Sequence, residues 1–131
     1  MKLNLEIIGI LLIALATIHV IFPRYFNWKK ELVSLQLINK QMMYIHTFFI
    51  ALIVFLMGIL CLTSADDLTL TPLGKKISLG LSLFWLIRLS FQFFGYSSSL
   101  WRGKTFETVV HVLFTGLWIY FSVSFLKIFL N

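Results

Sequence analysis

Six side chains in this sequence carry chemistry beyond packing: His19, His46, His111, Arg88, Gln92 and Glu107. Imidazole ligates zinc, copper, iron and nickel. Two histidines on different helices can also serve as axial ligands of a b-type haem, with Arg88, Arg24 or Arg102 near its propionates. The metal-binding and cofactor-binding roles therefore fall to His19, His46 and His111. Arg88 and Gln92 would steady the charge of a substrate or cofactor, and Glu107, one turn from His111, would orient that ring or exchange its proton. These three are the candidate catalytic residues. A third chemistry needs no cofactor, because histidine and arginine can hydrogen-bond a quinone or another lipid-soluble molecule and pass protons.

The elements that position these groups follow from composition. Of 131 residues, 60% are hydrophobic and 12% charged, against roughly 25% charged in a soluble domain. The apolar residues gather into four runs, over 5–22, 42–63, 72–96 and 106–130. At about 1.5 Å per residue, each is long enough to cross roughly 30 Å of hydrocarbon. The expectation is an all-α integral membrane protein: one four-helix transmembrane bundle over 1–131, with both termini on the same side. Thr71 before Pro72 reads as a helix cap with proline at the first helical position. Thr105 is placed to cap the fourth helix, whose first turn holds Glu107. Lys2 and Ala14-Leu15-Ala16 imitate a signal peptide, but Glu6 interrupts the run and its apolar pattern continues through His19 to Phe22, so a retained helix is expected. Between the first two runs, residues 28–40 suggest a short amphipathic helix that lies in the interface or extends the second span, or equally an ordered loop.

Counting along the helices brings the polar groups to one level. The ends of the first and third runs share a side with the starts of the second and fourth, and the three histidines, Arg88 and Gln92 all lie within about 5 to 12 Å of that boundary. Arg88 and Gln92 share one face of the third helix with Trp85 and Tyr96. Thr108, His111, Thr115, Trp118 and Ser122 recur at spacings of three and four along the fourth. Ionisable groups at such depth face a bundle interior and mark sites or pathways. The plainer readings are an Arg88–Glu107 ion pair, Gln92 as interhelical glue, and Tyr25, Tyr44, Trp28, Trp101 and Tyr96 as an interfacial belt.

Other classes lose ground on the same grounds. The lone Cys61 cannot form an intramolecular disulfide and has no CxxC partner, which removes thiol-redox chemistry. No glycine-rich phosphate loop, HExxH or GxSxG occurs. The formal charge of +6 points to loops beside anionic lipid, and there is no soluble basic face for nucleic acid. Arg24, Lys29, Lys30, Lys40, Arg102 and Lys104 flank one side, and Lys2, Lys75, Lys76 and Lys127 the other. The positive-inside rule then puts loops one and three in the cytoplasm. The expected function is binding of a transition metal or b-type haem, for electron transfer or oxidation of a lipid-soluble substrate such as a quinone. The alternatives are a small transporter or proton pathway, or an accessory subunit of a larger membrane complex. A homo-oligomer is compatible with each.

Overall fold

A computed structural model describes residues 1–131. The chain is all-α: α1 (Lys2–Tyr25), α2 (Trp28–Glu31), α3 (Leu37–Thr63), α4 (Ala65–Leu70), α5 (Pro72–Phe94) and α6 (Thr105–Leu130), with a 3₁₀ turn at Ser98–Leu100. Four of these, α1, α3, α5 and α6, are long and apolar enough to cross a membrane. The protein is thus an integral, multi-pass helical membrane protein in contact with lipid. Its residues form two compact units, Lys2–Ala65 and Asp66–Asn131, the latter including Met1. Each unit is a hairpin of two long helices.

In the first hairpin, the buried positions of α1 are Leu5, Ile8, Gly9, Leu12, Leu15 and Ala16, and those of α3 are Ala51, Val54, Gly58 and Cys61. Spacings of three and four put each set on one helical face. The closest approach is at two glycines. A methyl group at Gly58 would stand 2.9 Å from the Gly9 carbonyl oxygen, and one at Gly9 would stand 2.9 Å from the Gly58 carbonyl. Neither position has room for a side chain. Lipid tails are as apolar as leucine, so helices gain from close van der Waals packing rather than from water exclusion, and small residues permit it.

The connection after α1 is shorter in helix than residues 28–40 suggest. Asn27 adopts a left-handed conformation with φ 53°, which asparagine tolerates better than most residues, and it ends the α1 path so that α2 can begin. α2 lasts one turn; α3 then starts at Leu37 and so extends the second span backwards. Trp28 is buried and meets Tyr44 edge-on at 5.5 Å.

The second hairpin opens with α4, whose last turn leads directly into the cap of α5. Thr71 Oγ1 accepts a hydrogen bond from the Gly74 amide at 2.9 Å, with Pro72 in the first turn. A side chain at Gly74 would collide with the Asp67 carbonyl, so only glycine permits this tight join. At the start of α6, Thr105 is the first helical residue rather than its cap. Lys104 occupies the cap position without a side-chain bond, and Thr108 Oγ1 instead donates to the Trp101 carbonyl, tying the loop to the helix. Packing along α5 and α6 relies on rings: Trp85 and Trp118 stack at 5.0 Å with an interplanar angle of 11°, and Phe121 meets Trp85 at 5.1 Å. Towards the far end, Ser82 Oγ donates to the Ser122 carbonyl at 2.8 Å.

Candidate functional site

The two polar faces expected on the third and fourth spans meet in the α5–α6 hairpin. Gln92, on the last turn of α5, is buried at 7% exposure. Side chains on a helix lean toward its N-terminus. In an antiparallel pair, Gln92 therefore leans away from the connecting loop and Trp118 leans toward it. They meet: Trp118 Nε1 donates to Gln92 Oε1 at 3.3 Å. Arg88, one turn earlier on the same face, donates from Nη1 to the same oxygen at 3.3 Å. Across the hairpin, Gln92 Nε2 and His111 Nδ1 are 3.0 Å apart.

The direction of every bond in this cluster can be derived. Guanidinium and indole nitrogens only donate, so the Gln92 atom between Arg88 and Trp118 must be the oxygen. The amide nitrogen then faces His111 and donates to it. Nδ1 of His111 is therefore the acceptor, and the neutral ring carries its proton on Nε2. Trp101 lies flat on this ring, with centroids 3.8 Å apart at 12°, and Phe93 meets its edge at 6.3 Å.

Arg88 is held by rings as well as by the amide. Its Cζ lies 5.1 Å from the centre of the Trp118 ring and 5.5 Å from that of Tyr96. Cation–π contacts of this kind are worth about 0.5–2 kcal/mol, more as water is excluded. The ion pair with Glu107, the plainer reading of Arg88, does not form: Glu107 is exposed on the first turn of α6. Behind the cluster, Trp85 is buried to 2% exposure, and its Nε1 has no hydrogen-bond partner. The inventory around Gln92 is one-sided: its oxygen and the His111 Nδ1 are both taken as acceptors, while N–H groups of Arg88 and the Trp85 Nε1–H remain without a partner.

The remaining sequence candidates lie in the other hairpin. His19 Nδ1 is 2.9 Å from the Leu15 carbonyl one turn back, so it donates there, and its ring packs on Phe22 at 4.8 Å. His46 is exposed. It sits roughly 140° around α3 from the buried Ala51, at 100° per residue. No three histidine, cysteine, aspartate or glutamate side chains of the chain come together as a group able to hold a metal ion. Spacing puts Trp85 and Tyr96 on the Arg88 face and Trp118 on the His111 stripe, and what sequence reasoning missed is Trp101. Trp101 reads only as interfacial belt, whereas it covers His111; Tyr96, read both as belt and as part of the Arg88 face, braces Arg88. The available signal was the density of aromatic residues between Phe84 and Trp101 beside two polar side chains.

No protein-family model matches this sequence, and neither a curated protein nor a solved structure matches it. The functional reading therefore rests on the geometry of the cluster.

Proposed function

We propose that the α5–α6 hairpin binds a lipid-soluble molecule through its oxygen acceptors, in the manner a quinone carbonyl would be held. The observation that carries this reading is the bond polarity around Gln92. Its oxygen takes two donors and its nitrogen supplies the His111 acceptor. What the hairpin can still offer is the free N–H groups of Arg88 and the Nε2–H of His111. In a water-poor environment an unmatched donor costs about 1–3 kcal/mol, so a ligand oxygen meeting them is stabilised. Arg88 and His111 are the binding residues, and Gln92 positions both. Glu107, exposed one turn from His111, is left as a route for protons between that ring and the membrane surface.

Metal or haem ligation by His111 fits this arrangement poorly. Coordination through Nε2 would put the proton on Nδ1, where it would face the Gln92 amide hydrogens, whereas a ligating histidine ordinarily donates its other N–H to an acceptor. His19 has the matching arrangement, with Nδ1–H on a backbone carbonyl, but His46 lies off the buried face of the adjoining helix. The donor site needs neither ligand.

The test is quenching of tryptophan fluorescence by a short-chain quinone, with the protein in lipid nanodiscs. The expected result is saturable quenching whose midpoint rises about tenfold in Arg88→Gln and in His111→Phe, as befits the loss of one charge-assisted or buried hydrogen bond. Equal midpoints in the three proteins would refute the reading. We further place loops one and three in the cytoplasm, on the excess of basic residues they carry. Single cysteines at Ser34 and at Asp67, in a Cys61→Ala background, check this. A membrane-impermeant maleimide applied to intact cells should label the second and spare the first, and the reverse pattern would invert the topology.

A further inference from the structure

We infer that the molecule bound at the α5–α6 site is an amphiphilic anion, a long-chain carboxylate being the simplest, with its headgroup on Arg88. This rests on the reading of the hairpin as an acceptor-binding site and adds the charge of what is bound.

A guanidinium has five N–H groups, and Arg88 commits one of them, to Gln92 Oε1. Its contacts with Tyr96 and Trp118 engage the cation through ring faces and consume no hydrogen bond acceptor. They hold the group in place without neutralising it. An arginine within a membrane-spanning helix ordinarily pairs with a carboxylate or backbone carbonyls. From Pro72 to Leu130 the chain contains one acid, Glu107, and it is exposed and takes no part. The hairpin therefore presents a fixed positive charge whose partner has to come from outside it. A neutral carbonyl would satisfy N–H groups and leave the charge; a carboxylate satisfies both, and its two oxygens match the fork of the guanidinium.

The same helix provides for the rest of such a molecule. Phe84, Ile87 and Phe91 are exposed apolar residues on α5, and their spacings of three and four make one stripe. Arg88 stands at the edge of that stripe, within roughly 40–60° of Phe84 and Phe91 around the helix. An acyl tail can lie along these side chains within the bilayer while its headgroup reaches the guanidinium.

The experiment compares a bromine-labelled stearic acid with its methyl ester as quenchers of tryptophan fluorescence. The protein is held in phosphatidylcholine nanodiscs at a pH where the acid is ionised. Trp118, over which Arg88 lies, is one of the four tryptophans that report. The expected result is a midpoint about tenfold lower for the acid than for the ester, a difference that disappears in Arg88→Gln. The acid–ester comparison in the unaltered protein needs no variant, so misfolding of Arg88→Gln would not obscure it. Equal midpoints for acid and ester, with quinone quenching still weakened in His111→Phe, would overturn the anion assignment and leave the acceptor site standing. If acid, ester and quinone were all indifferent to Arg88→Gln and His111→Phe, both would fall.

Discussion

The two hairpins solve one problem, holding a pair of helices together where water cannot drive them, by opposite means. α1 and α3 approach through Gly9 and Gly58 until their backbones touch. α5 and α6 instead stack Trp85 on Trp118 and hold Gln92 and His111 bonded across the pair, with a closer approach at Ser82, whose hydroxyl reaches the Ser122 carbonyl. Elsewhere along the seam of the first hairpin the buried side chains are small or apolar, Leu5, Ile8, Leu12, Ala51, Val54 and Cys61 among them, and no polar side chain is buried there. The second gains its contact from large flat side chains, and the gaps such rings leave are where polar atoms can be kept. Site and packing are thus one structure in the second hairpin, whereas the first is packing with two separate histidines at its margin.

This contrast can be broken most directly at Trp118. Trp118→Ala removes the Trp85 stack, a face of Arg88 and a donor to Gln92 together, and should destabilise the second hairpin by about 3–5 kcal/mol. Steric trapping in bicelles measures it; a loss below 1 kcal/mol would mean the rings are ornament to some other contact. In the first hairpin, Gly58→Val forces the α1 and α3 backbones apart. Overpacking of this kind costs about 1–3 kcal/mol. Gly116→Ala, which meets nothing within 4 Å, should be neutral or stabilising by up to about 1 kcal/mol. Equal losses at the two glycines would erase the assignment of close packing to Gly58.

A finer test concerns Gln92. Gln92→Leu keeps the volume and strands two donors and one acceptor, so a loss of about 1–3 kcal/mol is expected, accompanied by weaker quinone quenching. Smallest of all, Trp85→Phe retains a ring and deletes an indole N–H that has no partner. The lost area of the smaller ring opposes the gain from removing an unpaired donor, so stability should change by no more than about 1 kcal/mol, and a loss near that of Trp118→Ala would show that the stack depends on the full indole.

How much of this was legible beforehand divides along the same line. The helical faces carrying Arg88 with Gln92 and His111 with Trp118 could be read from spacing, because positions three and four apart share a face whatever the helix packs against. What spacing could not supply was the angle at which each face turns: His46 counts to the same level as the other histidines yet is exposed, and Glu107 is near His111 in sequence yet is exposed and pairs with nothing in the cluster. Trp101 was unreadable for another reason, since it sits in a loop, where no period constrains it. The Gly9–Gly58 contact left no mark in a hydropathy pattern, because a glycine in an apolar run looks the same whether a neighbour's backbone or a lipid lies against it. The length of α2 was set by Asn27 and the turn after Glu31, which are local choices that an amphipathic pattern over 28–40 overlooks.

The near-parallel pair of indoles has an optical consequence. Two identical chromophores 5.0 Å apart share their excited states, and a coupled pair held in a fixed chiral frame adds a paired positive and negative band to the far-ultraviolet circular dichroism of the helices. Helix content read from that spectrum would be biased by the stack, and the difference spectrum between this protein and Trp85→Phe would isolate the pair. The second hairpin thus carries its own optical gauge, sensitive to whether a ligand beside Trp118 leaves the two rings face to face.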